Sequence, residues 1–323
     1  MTPQATAPDH PAQPKCARPA PSPVFILSPP RSYSTVSLAL LAGHPMMFGF
    51  PETLLFLAPT VGDLIDICAY EPAMQRVAAA DRTPAVFAAS RLKGVARAIA
   101  QLHEASLQED AVLRAFEWLF DRRQLSTAEV MAYLLGLASP LVGVEKTPDI
   151  TRAGQALNRC MSSYPEARYL HLTRHPVSSQ RSMREAWRPE HGPDEFSAPR
   201  NVMQWYSSHL RIIQALDKLP RDQWMRVRAE DLLGAPHIWL PRILAWLQLE
   251  WDDRIIARMT RTEKWLFALD SDLGLQWGGD WKFFANPALR PVPGPAAALV
   301  DPEWKIPQEG FRRVTALARY LGY

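Results

Sequence analysis

The chain has 323 residues, 47% hydrophobic and 21% charged, which is ordinary globular material for one large or two small domains. Its 36 basic and 33 acidic residues leave a net charge of +3, so no polyanion-binding surface is implied, although a local cluster for a small anion still fits. Cys16, Cys68 and Cys160 form no Cys-x-x-Cys, residues 1–22 lack the apolar core of a signal peptide, and no run reaches the roughly 20 apolar residues of a membrane span; a reduced, cytoplasmic setting is expected, with no structural zinc.

Residues 1–22, rich in Pro, Ala and Gln, are predicted to form a disordered tail. Residues 23–323 are expected to form a single domain. The apolar run Val24 to Leu27 has the character of a buried strand, ended by Pro29 and Pro30. Arg31, Ser32, Ser34 and Thr35 follow. Val36, Leu38, Leu40 and Leu41 then sit at helical spacing, with Gly43 and Pro45 placed to stop the helix. A strand, a hydroxyl-rich turn with one cation and a helix N-terminus fit an anion site, or else an ordinary strand-to-helix turn with Arg31 in solvent. It is not the Gly-rich loop ending in Gly-Lys-[Ser/Thr] of nucleoside triphosphate sites. His44, beside Pro45, reads as a hydrogen-bonded histidine. Glu52 sits in apolar company; burying it unpaired is costly, so it either meets a cation or has a chemical role.

Residues 60–138 form a helical insertion, expected to line or cover an acceptor site. Its apolar periodicity predicts helices over Val86 to His103, Ala111 to Phe120 and Thr127 to Leu137, with Phe116, Trp118 and Phe120 in the core. A second strand runs from Leu141 to Glu145. Lys146 stands at its carboxyl end, where open α/β sheets bind ligands and where a surface lysine is equally at home. A helix over Thr151 to Ser162 follows, capped by Asp149 or Thr151. Arg168 to Thr173 is the third predicted strand, handing Arg174 and several hydroxyls to another helix start. Two such strand-to-helix anion sites point to a ligand with two separated phosphate-like groups. Residues 184–200 read as a loop, Asn201 to Leu216 as an amphipathic helix, Gln223 to Arg228 as a fourth strand and Pro236 to Leu247 as a helix. Residues 250–300 are expected to be an irregular acceptor-side segment: a short helix near 258–264, a mobile stretch, then a Pro/Ala linker over 291–300. Glu309 to Leu321 closes the chain as a helix. No internal repeat is present.

Four segments in this order, Ser28-Pro29-Pro30-Arg31-Ser32, Glu145-Lys146-Thr147-Pro148, Leu172-Thr173-Arg174-His175-Pro176 with Ser182, and Val227-Arg228-Ala229-Glu230-Asp231-Leu232, resemble the PAPS-dependent sulfotransferase family. PAPS is 3′-phosphoadenosine 5′-phosphosulfate. The run from Arg31 to Glu52 is similar to tyrosylprotein sulfotransferases. The segment order, including Arg258-Met259-Thr260 and Gly279-Asp280 with Phe283, is similar to the sulfotransferase domains of bacterial olefin-forming polyketide synthases. The resemblance implies an α/β fold: a P-loop-like three-layer sandwich with a central parallel sheet of four or five strands and a helical insertion. It implies a soluble bacterial transferase of secondary metabolism that moves a sulfuryl group from PAPS to a hydroxyl of a small-molecule or acyl-carrier-bound metabolite. No metal, nucleic acid or membrane partner is expected.

The resemblance also distributes roles. Arg31, Ser32, Tyr33, Ser34 and Thr35 would cradle the 5′-phosphosulfate, with Arg31 neutralising the sulfuryl oxygens. Arg174 and Ser182 would hold the 3′-phosphate, Lys146 would bridge donor and leaving group, and Glu52 would be the general base. Tyr33 stands where the family carries glycine; it requires either a negative φ or a ring folded away from the nucleotide. Ala229 replaces an aromatic residue of many relatives. Residues 261–268 lack the histidine that polyketide-type relatives carry near Arg258-Met259-Thr260; Lys264 lies closest, and Glu52 is favoured as base. The competing readings are a degenerate sulfotransferase fold that only binds nucleotide or a partner, and a P-loop kinase. The kinase would need a loop lysine and a magnesium-binding aspartate, neither of which is apparent.

Overall fold

The apolar run Val24–Leu27 forms β1, the centre of a five-stranded parallel sheet, and all four of its residues are buried. The computed structural model describes residues 21–69, 91–186, 197–268, 279–290, 292 and 298–323. The other strands are β2 (Met47–Gly49), β3 (Val142–Glu145), β4 (Arg168–Thr173) and β5 (Trp224–Arg228), in the spatial order β2-β3-β1-β4-β5. Every pairing is parallel, with Val24 opposite both Val144 and Arg168. A sheet of this kind has both faces covered, so its strands read as unbroken apolar runs. Alternate residues of β1 face opposite cores: Phe25 and Leu27 join one, Val24 and Ile26 the other. This makes the expected three-layer α/β sandwich.

Strand β2 goes beyond the four strands that periodicity marks. It has three residues, too few to show a period, and lies between His44-Pro45 and Phe50-Pro51. Its neighbour creates it: β3 pairs with Met47 to Gly49, and the Phe50 N–H donates to the Val144 carbonyl at 2.8 Å. Helix α1 (Ser34–Ala42) follows the β1 loop, and Gly43 after it packs so tightly on Met259 that a Cβ there would lie 2.5 Å from its Cα.

The insertion comprises α2 (Val61–Ala69), α3 (Lys93–Glu104), α4 (Glu109–Phe120) and α5 (Thr127–Ala138). The first part of the predicted helix over Val86 to His103 lies outside the described residues. Ser126 and Glu129 close a reciprocal capping box at the start of α5. Phe116 is fully buried, while Trp118 and Phe120 pack against the same core from its edge. Beyond the insertion run α6 (Gly154–Ser163), α7 (Pro176–Ala186), α8 (Ala198–Leu216), α9 (Ala229–Gly234), α10 (Pro236–Leu247), α11 (Asp253–Met259), α12 (Trp281–Ala285) and α13 (Gln308–Tyr320). Helices α7 and α8 therefore reach into the predicted 184–200 loop from both ends, and α11 falls earlier than the helix expected near 258–264. The tail over 1–20 and the stretch 269–278 lie outside the described residues. Among the described residues no helix is long and apolar enough to cross a membrane.

Beyond Arg168, the polar members of β4 are buried. His171 is fully buried and its Nε2 meets His209 Nδ1 of α8 at 2.9 Å. Arg226 Nε donates to His171 Nδ1 at 3.2 Å, so His171 donates through Nε2. Burial, then His209 and Arg226, holds His171 well below the ordinary histidine range; burial and Arg226 bring His209 down to about 3. Both rings are neutral, and their stabilising share is complete above 6.5 and lost as the pH falls. Glu145 works in the opposite direction. Burial raises it to about 7, so its share is complete below 4.5 and lost as the pH rises through 7. With His175, held down to about 4, three histidines against one carboxylate leave a net uptake on unfolding of about two protons between pH 6.5 and 4.5, or ~2.7 kcal/mol per pH unit. Scanning calorimetry should show the Tm falling steadily across that interval. A flat Tm would remove this account of the buried pair.

Candidate active site

Because all five strands are parallel, their carboxyl ends lie on one side, and the loops after β1, β3 and β4 meet there. The turn after β1 is contorted. Arg31 and Tyr33 both have positive φ, +63° and +61°. Tyr33 therefore holds a left-handed conformation that costs a non-glycine residue about 1–2 kcal/mol, and the first condition set for it by the sequence is not met. Its ring instead lies 3.8 Å below the Arg174 guanidinium carbon. A cation–π contact of that kind contributes about 0.5–2 kcal/mol and offsets the backbone cost.

The two arginines meet through the same turn. Arg174 Nη1 donates to the Arg31 carbonyl at 2.7 Å, and Arg31 Nε donates to Ser182 Oγ at 3.2 Å. Arg174 is buried, its Nε has no acceptor among the described residues, and burial lowers its pKa. An orphaned guanidinium N–H in a buried setting fits an incoming anion. On the other side of the turn, Lys146 Nζ donates to Thr35 Oγ1 at 2.7 Å and forms an ion pair with Glu52. Lys146 is 1% exposed and Glu52 23%.

Arg31, Tyr33, Ser34, Thr35, Glu52, Arg174 and Ser182 all line one cleft of about 660 Å³. Lys146 does not reach its wall and lies beneath it, bonded to Thr35 and Glu52. Ser32 is fully buried and also off the wall, so its hydroxyl is turned away from where the loop would meet a ligand. The two polar ends thus lie side by side: Arg174 and Ser182 at one, Lys146 and Glu52 at the other, with Arg31 between.

Other candidates fall away from the cleft. His44 accepts from the Met46 N–H at 3.1 Å and bonds the Glu250 carbonyl at 2.9 Å, as a hydrogen-bonded histidine should. His175 is buried, edge-on to the Tyr323 ring, and held down to about 4 by burial and Arg174. Lys264 is not on the wall either.

Two acidic residues gain significance only in three dimensions. Asp280 Oδ1 meets Arg31 Nη1 at 2.6 Å, and its own N–H donates to Thr35 Oγ1 at 3.0 Å. The same carboxylate caps α12 through the Lys282 N–H. Asp280 thus ties a segment 249 residues distant in sequence onto the turn. The only sequence signal for it is the Gly279-Asp280 pair; Gly279 abuts Thr35 so closely that a Cβ would lie 2.9 Å from its methyl. Glu145 accepts from the Thr53 N–H and hydroxyl at 3.3 and 3.0 Å and from the Thr147 hydroxyl at 2.5 Å. It bolts the loop carrying Glu52 to the end of β3. At 1% exposure and off the cleft wall, it cannot itself meet a substrate.

The model of the sulfotransferase family matches residues 23–253. The sulfotransferase domain from the Synechococcus PCC 7002 olefin synthase has the same fold, with a TM-score of 0.68 at 23% identity over 97% of this chain and 98% of that domain. The sulfotransferase domain from the curacin biosynthetic pathway aligns with a TM-score of 0.69 at 19% identity, over 93% and 99% respectively. No curated protein matches this sequence.

Proposed function

Because this chain belongs to the sulfotransferase family, we propose that it moves a sulfuryl group from PAPS to a hydroxyl of a biosynthetic metabolite, free or carried on an acyl carrier. The reading rests on one observation above all: Arg174 with Ser182 at one end, and Glu52 with Lys146 paired beneath it at the other, flank Arg31 along a single cleft. A donor with phosphate at one end and phosphosulfate at the other has a group for each end. The neighbours from an olefin synthase and the curacin pathway support a biosynthetic acceptor.

In this mechanism the acceptor oxygen bonds to sulfur while the bond from sulfur to the 5′-phosphate oxygen breaks, in line. The acceptor proton passes to Glu52, and the products are a sulfate ester and 3′-phosphoadenosine 5′-phosphate, PAP. Such a transition state is loose, and its charge sits on the equatorial and leaving oxygens. Arg31 and the N–H groups at the start of α1 stabilise the first; Lys146 stabilises the second. The sulfuryl oxygens compete with Asp280 for Arg31.

The test is direct. Calorimetric titration should show PAP binding with a 1:1 stoichiometry, with ATP much weaker. Incubation with PAPS and a panel of hydroxylated acids, esters and carrier-bound acyl groups should add one SO₃ to an acceptor by mass spectrometry. A folded protein that ignores PAP would end this reading.

A further inference from the structure

The phosphate end of the cleft carries an acid that the proposed reaction does not use. Glu230, in the first turn of α9, lines the same wall as Arg174 and Ser182. A free carboxylate there would repel an incoming phosphate. Both of its oxygens are instead engaged. The His175 N–H donates to Oε1 at 2.9 Å, and the Tyr323 hydroxyl donates to Oε2 at 3.1 Å. The Tyr323 oxygen also lies 3.0 Å from Thr173 Oγ1. An ionised carboxylate only accepts, so the phenol proton goes to Glu230 and the Thr173 hydroxyl donates to the phenol. Burial, then Glu230, raises the Tyr323 pKa and keeps that proton in place.

Thr173 and His175 stand on either side of Arg174. Tyr323 therefore grips the strand end before the arginine directly, and the turn after it through Glu230. The Arg174 carbonyl between them accepts from the Trp205 indole at 2.9 Å. From a chain held at three successive residues, the arginine reaches the Arg31 carbonyl and lies on the Tyr33 ring, while its buried Nε keeps the unmet donor that an anion takes. Tyr323 is itself anchored just beyond α13. Its N–H donates to the Ala318 carbonyl at 3.0 Å, the Gly322 carbonyl accepts from Arg228 Nη1 at 2.5 Å, and Leu321 shares a core with Val177 of α7 and Trp205 of α8. Packing alone would be served by a phenylalanine; the hydroxyl serves the two residues beside Arg174.

We propose that Tyr323 is a positioning residue for the donor: with Glu230 and Thr173 it holds Arg174 in the orientation that takes the 3′-phosphate. This rests on the sulfuryl-transfer reading above. An arginine fixed beforehand spares the ligand the cost of ordering it, which is where preorganisation gains affinity. The same bracket keeps both Glu230 oxygens occupied, so the acid beside the phosphate end serves the site rather than opposing the ligand. Among the described residues none of the three hydrogen-bonds to Thr35, Glu52 or Lys146, so the effect belongs to donor binding through Arg174 and not to the proposed base.

The experiment is calorimetric titration with PAP. Tyr323→Phe keeps the ring against His175 and removes only the hydroxyl. Its PAP affinity should fall about tenfold or more, the fold-change of one lost charge-assisted hydrogen bond. In an Arg174→Lys background, which keeps a cation but not the group being positioned, the same substitution should cost PAP affinity little; a merely structural role would cost the same in both backgrounds. Thr173→Val removes the other hydroxyl of the bracket. It should weaken PAP in the same direction and so reports even if the tyrosine variant misfolds. Three results overturn the inference: PAP binding to Tyr323→Phe as to the unmodified protein, an equal fold-loss from that change in the Arg174→Lys background, or PAP binding to Thr173→Val as to the unmodified protein. A folded, unmodified protein that ignores PAP overturns the parent reading and this inference with it, so the two failures are distinguishable.

Discussion

Arg31→Ala is expected to lower kcat/KM for PAPS-dependent transfer by about 10³-fold or more. The guanidinium lies between the two ends of the cleft, touching Ser182 through Nε and Asp280 through Nη1. In the proposed reaction it is the cation nearest the sulfuryl oxygens, where charge spreads as the bond to the leaving oxygen breaks. Removing one preorganised donor from such a position costs about 10²–10³-fold, and an arginine at a transferring phosphoryl group up to about 10⁵. The fold should tolerate the change. The Arg31 carbonyl that receives Arg174 is backbone and remains, and Asp280 keeps its cap to Lys282 and its N–H bond to Thr35. PAP affinity should fall much less than turnover, since Arg174 is untouched. Arg31→Lys should recover only part of the rate, because an ammonium cannot reproduce the planar fork. Initial rates at several PAPS concentrations decide the matter; wild-type turnover in the alanine variant would refute the assignment.

Glu52→Gln is expected to reduce kcat by about 10²–10⁴-fold, the range for a positioned general base. The amide that replaces the carboxylate would still offer an oxygen to Lys146 Nζ, so the buried ammonium would not be left without an acceptor and the Tm should change little. The ion pair carries a further consequence. Lys146, nearly inaccessible, cannot serve Glu52 and a leaving phosphate oxygen at full strength together. As the leaving oxygen gathers charge it draws the ammonium, and a carboxylate losing its cation becomes a stronger base. Proton uptake and leaving-group departure are coupled through one side chain. Lys146→Met should therefore damage kcat at least as severely as Glu52→Gln, and the double variant should be no worse than the single Lys146 change, as expected for residues acting as a unit. Activity in Glu52→Gln equal to wild type would move the base elsewhere.

Much of the fold was readable because a buried parallel strand must be apolar throughout. Val24–Leu27 could hardly be anything else, and the arginine and hydroxyls after it mark a turn at a helix start. Strand β2 was not readable, since three residues show no period and only pairing with β3 extends them. In the cleft, Arg31, Glu52, Lys146, Arg174 and Ser182 announce themselves as charge or hydroxyl in places where the chain otherwise turns or runs apolar. Asp280 did not, because the Thr35 hydroxyl that holds it comes from the far end of the chain.

The order of residues alone determined which groups are available: a family motif set, two strand-to-helix anion turns and a carboxylate amid apolar neighbours. Tertiary packing decided how they are used. It forced Tyr33 to positive φ under Arg174, turned Ser32 inward and sank Lys146 beneath Thr35. The physical reason is that charge and strain are paid for in the environment a residue ends in, and that environment is built by segments tens to hundreds of positions away.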